Sequence, residues 1–221
     1  MKALNRITIE LFEQDARLVF LLLCLVQTLV MVIQQEFILV DEVYYNTYGE
    51  QLAMERIDEL IAFGEEWAWV NFALVPLFVV LQAFLITVCL NVGTLFFNYD
   101  IGFKALFKMV LKAMIVFVFA SLLMTFIQWQ VIEVSTFQDL QNANFMSALW
   151  FFDQETLPVW LSYPISLISV YEIAFWVLLA AGVSYLLKQS FSESINFVAS
   201  TYGVGLTVWI LLIIFLQISV S

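Results

Sequence analysis

The chain has 221 residues, of which 63% are apolar, and its mean hydropathy is +0.97. Soluble domains are about 45–50% apolar, and a globule of this length could not bury the excess, so lipid has to solvate much of the surface. The net charge of −11 argues against binding to nucleic acid, and the absence of histidine removes the commonest metal ligand. Composition therefore predicts an integral membrane protein.

Apolar runs of about 20 residues predict an all-α membrane protein, a bundle of five transmembrane helices, because backbone groups in hydrocarbon must be paired within each segment. A cytoplasmic amphipathic segment, residues 1–16, precedes a membrane domain over 17–221, with outer loops at 40–68 and 133–164. The predicted spans are Arg17–Leu39, Trp69–Phe97, Met109–Ile132, Ile165–Leu187 and Ile195–Ser219.

The basic residues predict the orientation of these spans. All but one of the eight lysines and arginines fall on the N-terminal side of the predicted membrane, and the exception is Arg56. The positive-inside rule then predicts a cytoplasmic N-terminus and an outer C-terminus. The expected location is a bacterial cytoplasmic (inner) membrane, with most acidic residues on the outer side.

The outer segment of residues 50–66 predicts an acidic amphipathic helix of about three to four turns. Its apolar positions recur at helical spacing, and the opposite face carries Glu55, Asp58 and Glu59. Surface helices on anionic lipid are normally basic, so this acidic helix is expected to pack against protein. Two interpretations remain: a cap on the bundle, or a docking surface for a partner protein or a cation.

A stripe of lysines precedes the third predicted span. Lys104, Lys108 and Lys112 follow one another at four-residue steps, which places them on one face of a helix. Their ammonium groups are expected to reach lipid headgroups. The alternative is that they only set the topology.

Glu172 is the one charge in the apolar run of residues 166–187, about two turns from the start of the predicted fourth span. A charge near the centre of a span costs about 2.5–3.5 kcal/mol on insertion scales, so this carboxyl needs hydrogen-bond donors or a proton. No cation lies at matching depth. Three roles remain open: a polar link between helices, a proton or cation site, and a contact with another subunit. Candidate donors are Ser166, Ser169, Tyr171, Gln128 and Tyr202.

Small residues in the last span predict close helix packing, with a hinge or a ligand cleft as the alternative. Ser200, Gly203 and Thr207 follow at three- and four-residue steps, a pattern that lets helices approach closely. Other embedded amides, including Gln27 and Gln82, are interpreted as links between helices rather than substrate ligands.

Catalytic signatures are missing from the sequence. It has no Ser/His pair, no nucleotide-binding loop and no zinc spacing, and its two cysteines fall in apolar runs as small core residues. We therefore expect neither an enzyme nor a bound cofactor or metal.

The second half of the chain resembles bacterial members of the Yip family, five-span proteins related to the eukaryotic Ypt-interacting proteins. The likeness covers about residues 75–215 and depends on the amphipathic step Gly102–Lys112, the pair Tyr171–Glu172, and the stretches Gly182–Leu187 and Ser190–Asn196. It implies a non-enzymatic membrane protein that acts through protein partners. The first 70 residues fall outside it, and Rab binding is not carried over.

Three functional hypotheses follow. The first is a non-catalytic accessory or scaffold subunit of a larger inner-membrane assembly, with membrane lipids and other membrane or periplasmic subunits as partners. The second is a permease-like subunit of a transporter, with Glu172 near the transport path. The third is a lipid-handling protein that uses the lysine stripe.

Overall fold

The computed structural model describes residues 10–142, 146–152 and 157–220. Five of its helices are long and apolar enough to cross a membrane, which confirms an all-α multi-pass membrane protein. The helices, in chain order, are α1 (Ala16–Phe37), α2 (Asp41–Tyr48), α3 (Met54–Phe97), α4 (Phe103–Ala113), α5 (Ile115–Gln130), α6 (Phe137–Asn142), α7 (Val159–Leu167), α8 (Val170–Leu187), α9 (Phe191–Val198) and α10 (Val204–Val220).

The two ends of the bundle differ in charge. The acidic end carries the connection at residues 38–53 and the described parts of that at residues 131–169, and the basic end carries those at residues 98–102 and 188–190. A short helical turn at residues 10–13 lies at the basic end, where Phe12 is buried. The rest of the predicted N-terminal amphipathic segment lies outside the described residues.

The second span is much longer than predicted. α3 has 44 residues, or about 66 Å, whereas a hydrocarbon core is about 30 Å thick. The acidic helix predicted as a separate element of the outer loop is therefore the first turns of α3. The helix stays unbroken through Gly64, Glu65 and Glu66 and past Trp67 and Trp69, and Pro76 lies inside it. α3 ends at Asn98, which adopts a left-handed conformation with φ 54°.

The fourth span begins later than predicted, because the chain breaks before it. α7 ends at Leu167, Ser169 is extended, and α8 starts at Val170 rather than near Ile165. The backbone at this break is paired with the connection before it. Ala148 N donates to Ile168 O at 2.7 Å, and Val170 N donates to Met146 O at 3.0 Å.

The third and fifth spans are each built from two helices. α4 and α5 meet at Met114, and α9 continues into α10 through a π-helical turn, Ala199–Gly203. A capping box at Ser190 and Glu193 starts α9, since each side chain bonds the other's backbone amide. The fifth helical segment therefore begins before the predicted Ile195.

The tightest packing lies between the spans of the basic half. Fully buried side chains of α3, α4, α8 and α9 meet there, among them Leu90, Val110, Phe175 and Phe197. Gly93 brings α3 against the last span, since a Cβ built at this glycine would lie only 1.9 Å from Thr201 Cγ2. Close packing therefore holds α3 at its basic half.

The acidic end is held by smaller contacts. α2 and α3 pack against each other, and Val43 of α2 and Ile57 of α3 are buried. Phe137 of α6 donates its amide to Thr47 Oγ1 at 3.0 Å. Asp139 holds the start of α6, because its Oδ2 accepts from Ser135 N, Thr136 N and Thr136 Oγ1. Partial burial raises the pKa of this carboxyl, but the three hydrogen bonds outweigh burial and hold the pKa below its usual value.

We predict opposite effects of two glycine substitutions in α3. Gly93→Ala should destabilise the protein by about 1–3 kcal/mol, because the added methyl group has no room against Thr201. Gly64→Ala should stabilise it by about 0.5–1 kcal/mol, since the only atom near its Cβ is Tyr44 Oη at 4.0 Å. Unfolding in neutral detergent measures both, and equal effects would contradict this packing.

We also predict that acid loosens α6. A carboxyl with a lowered pKa stabilises the fold fully above its ordinary value of 3.8, and this stabilisation is lost as the pH falls through the folded-state pKa. Hydrogen exchange at residues 135–140, corrected for its intrinsic pH dependence, should therefore accelerate between pH 6 and pH 3 relative to α2. Asp139→Asn should accelerate exchange already at pH 6 and abolish the difference.

Candidate functional site

The position of Glu172 follows from the late start of α8. Ser169 is the N-cap, and its Oγ accepts from Glu172 N at 3.1 Å. Glu172 therefore lies in the first turn of α8, and the prediction of a carboxyl two turns inside the span is wrong. The backbone dipole of a helix favours a negative group at its N-terminus, so this position costs less than one at mid-span.

One indole N–H and one phenol O–H donate hydrogen bonds to the same oxygen of the Glu172 carboxyl. Trp176 Nε1 and Tyr202 Oη each donate to Glu172 Oε1 at 2.8 Å. The bond from Tyr202 joins α8 to the last span, whereas that from Trp176 stays within α8. Trp176 was not among the predicted donors, although its i+4 spacing from Glu172 places it on the same face of a helix.

The π-helical turn positions Tyr202 for this contact. Tyr202 is only 7% exposed and lies in the turn with Thr201, whose Oγ1 donates to Phe197 O at 2.7 Å. Gly203 follows, and a Cβ there would lie 2.7 Å from Trp176 Cη2, so the glycine makes room for the indole. Single π turns in helices are frequent at functional sites.

The other predicted donors do not reach the carboxyl. Gln128 Oε1 is buried on α5 and has no hydrogen-bond partner among the described residues, so Gln128 is not part of this cluster. Tyr171 Oη is likewise buried without a described partner. Ser166 Oγ donates to Tyr163 O at 2.8 Å instead.

The predicted small-residue face of the last span is only partly a packing face. Gly203 packs against Trp176, but Ser200 and Thr207 are exposed. Thr207 Oγ1 donates a hydrogen bond to the backbone oxygen Gly203 O at 2.9 Å. Gly205 makes the further close contact, since its Cβ would lie 2.4 Å from Cys89 Sγ. The true packing positions are therefore offset from the predicted stripe.

The lysine stripe divides in the structure. Lys104 and Lys108 are exposed, as a headgroup contact requires. Lys112 is buried, and its Nζ donates to Phe12 O at 2.6 Å, so its predicted headgroup contact is wrong. The bend of the chain before α1 brings the Phe12 carbonyl to this lysine, a long-range contact that helical spacing could not indicate.

The predicted docking residues lie exposed on the first turns of α3. Glu55 has no partner among the described residues, Glu59 accepts from Arg56 in an exposed ion pair, and Asp58 accepts from Tyr45 Oη. This hydrogen bond to Asp58, with partial burial and nearby acidic charge, raises the pKa of Tyr45. The three carboxylates thus share a helix but not a single pocket.

A groove between α1 and α3 was not predicted. At the acidic end it holds a cavity of about 620 Å³, which α2 also lines, and deeper in the bundle it holds a second of about 280 Å³, which α5 also lines. Met31 and Asn71 line both cavities. The α3 side runs from Ile61 to Gln82, about 30 Å along the helix. We call this feature the α1–α3 groove.

Glu172 lines neither of these cavities, so the structure separates the carboxyl cluster from the groove. Among the embedded amides, Gln27 and Gln82 do line the deeper cavity. The signal in the sequence was the recurrence of Gln27, Met31 and Gln34 on one face of α1. Only Gln27 was interpreted as a link between helices, and its Oε1 does accept from Ser121 Oγ at 3.5 Å. Gln34 makes a second link, since its Nε2 donates to Thr125 Oγ1 at 3.2 Å.

We predict that Glu172 and Tyr202 are energetically coupled. Tyr202→Phe should destabilise the protein by about 1 kcal/mol, because it removes the only described donor from another helix. The same substitution in a Glu172→Leu background should have almost no effect. Trp176→Phe, in contrast, removes a bond within α8. Unfolding of the four proteins of the cycle in neutral detergent measures the coupling, and additive effects would contradict it.

Comparison with known proteins finds no match: no protein-family model, no curated protein and no solved structure corresponds to the chain. The resemblance of residues 75–215 to the Yip family stays a prediction from sequence pattern. The fold that the structure shows is a five-span helical bundle, with a carboxyl cluster at the start of α8 and a groove between α1 and α3.

Proposed function

We propose that the chain is a non-catalytic subunit of a larger membrane assembly and that it docks a partner protein on the first turns of α3. The observation that carries this proposal is an exposed aromatic stripe beside carboxylates on that helix. Leu60, Phe63 and Trp67 follow at three- and four-residue steps and are 36%, 62% and 49% exposed. Glu59 and Glu66 flank them and are also exposed.

The length of α3 supports a docking surface outside the lipid. If Phe97 marks the basic end of the span, Phe63 lies about 50 Å away along the helix. A bilayer with its headgroups is about 40–45 Å thick. By the same measure Leu60 and Phe63 lie beyond the headgroups and Trp67 lies at their edge, about 45 Å from Phe97, so lipid contact does not account for the whole stripe. Its apolar and aromatic composition matches the core of protein interfaces.

The other side of this helix segment is already occupied. Ile57 is fully buried, and α2 packs over it. The segment therefore needs no lipid or partner to cover that side. Because it is continuous with the span, it presents the aromatic stripe rigidly, which reduces the ordering cost of binding. The excess of carboxylates favours a partner with a basic surface. In the orientation predicted from the basic residues, this partner is on the outer side of a bacterial inner membrane.

A second function, a permease-like subunit, is favoured by the α1–α3 groove. The groove provides a polar recess between spans, which the accessory role does not require. Glu172 does not line the groove, so this proposal no longer places Glu172 near the transport path. A lipid-handling role has less support, since only Lys104 and Lys108 remain exposed for headgroups.

A photo-crosslinking experiment tests the docking proposal. With p-benzoylphenylalanine at Phe63, ultraviolet light on native membranes should yield one defined crosslinked protein. The same probe at Phe215, which is 67% exposed on α10, should yield none. The charge reversals Glu59→Lys and Glu66→Lys together should reduce the product severalfold, because complementary charge guides association.

The matched control reverses two acidic-end charges away from the stripe, Glu50→Lys and Glu133→Lys, and should leave the crosslink intact. Failure to crosslink at Phe63, or a product that is insensitive to the reversal at Glu59 and Glu66, would refute docking at this surface. A product of twice the chain's mass would replace the partner by a second copy of the chain.

A further inference from the structure

We propose that the α1–α3 groove binds an amphipathic organic cation, with its charged group at the carboxylates of the acidic end and its apolar body between α1, α3 and α5. This inference is independent of docking at the first turns of α3. It depends on the groove's size, on the chemistry of its two halves, and on amides that have no protein partner.

The size of the groove suits a small molecule. Ligand pockets commonly measure about 300–1,000 Å³, and the cavity at the acidic end, about 620 Å³, falls within that range. The deeper cavity adds about 280 Å³ to this volume. The groove therefore accepts a ligand of drug-like size.

The charge at the acidic end selects a cation. Carboxylates of Glu36, Asp41, Glu42 and Glu65 line the larger cavity, and no lysine or arginine lines either cavity. A phosphate or carboxylate headgroup would be repelled there, which disfavours anionic lipids and phospholipids as occupants. Within the described residues, no three acidic or cysteine side chains come close enough to hold a metal ion. The cation is thus expected to be organic and diffusely charged.

The deeper cavity selects an apolar body. Most of its wall is apolar, including Leu23, Val75 and Phe117, and burial of an apolar group there is favourable by about 25 cal/mol per Å². A simple hydrated cation would gain nothing from this half. Charge at one end of the groove and apolar surface at the other together point to an amphipathic ligand.

Amides without protein partners line the same path. The side chains of Gln35, Asn71 and Gln82 have no hydrogen bond to any other described residue, and Asn71 and Gln82 are exposed. Pro76 adds an acceptor, because it has no N–H to donate to the carbonyl of Phe72, which also lines the larger cavity. Polar groups between spans need water or a polar ligand, so these groups indicate that the groove is not sealed by packing.

Binding of tritiated tetraphenylphosphonium to the purified full chain in neutral detergent tests the proposal. We expect one saturable site. Tetraphenylborate, which has the same shape and the opposite charge, should not compete. Glu36→Gln with Glu65→Gln should weaken binding about tenfold, since each removes one partly exposed ion pair. Glu55→Gln with Glu66→Gln removes the same charge outside the groove and should change affinity less than about twofold.

A steric variant provides the second arm. Gly64 lines the larger cavity with open space beside it, so Gly64→Phe should fill the cavity and abolish saturable binding, while Gly64→Ala should retain it. All variants should elute as the parent does on size exclusion. Absence of a saturable site, competition by tetraphenylborate, or unchanged binding in Gly64→Phe or in the Glu36/Glu65 variant would each overturn the proposal. If the Glu55/Glu66 variant lost as much affinity as the Glu36/Glu65 variant, binding would depend only on the overall charge, and the proposal would be refuted.

Discussion

The arrangement of the bundle depends on the close approach of α3 to the last span at Gly93. With no side chain at Gly93, Thr201 of the π-helical turn packs directly against the α3 backbone. Hydrophobicity alone does not hold helices together in lipid, so contacts of this kind supply much of the association. The contact lies in the basic half of the 44-residue α3, not in its other half. The α1–α3 groove lies along that other half.

The π-helical turn connects this contact to the carboxyl cluster. It buries both Thr201 and Tyr202, so one turn packs against α3 and also donates to Glu172 on α8. Glu172 in turn lies where Ser169 caps α8, and the backbone break before it is paired with the connection at residues 146–148. The carboxyl is thus held by local helix-start chemistry and by one contact from another helix. The bond from Tyr202 joins two spans, and the cluster lies apart from the groove.

Acidic side chains of the chain lie at two distinct surfaces. On the outer side of α3 they flank an exposed aromatic stripe, Leu60, Phe63 and Trp67, which suits a protein partner. Between α1 and α3 they line a recess that suits the charged group of an amphipathic organic cation. The same helix segment, residues 54–68, contributes to both surfaces, because the stripe and the positions that line the groove fall on neighbouring faces of one helix.

The sequence by itself determined the class of structure and the number of spans, because hydrophobic length and backbone pairing in lipid leave few alternatives. It also identified Tyr202 among the partners open to Glu172, though not Trp176. Tertiary structure alone decided where α8 starts, that Lys112 is buried against Phe12, and that α1 and α3 leave a groove. These depend on contacts between residues far apart in the chain. Hydropathy and helical spacing describe one segment at a time, so they cannot show which faces meet and which stay open.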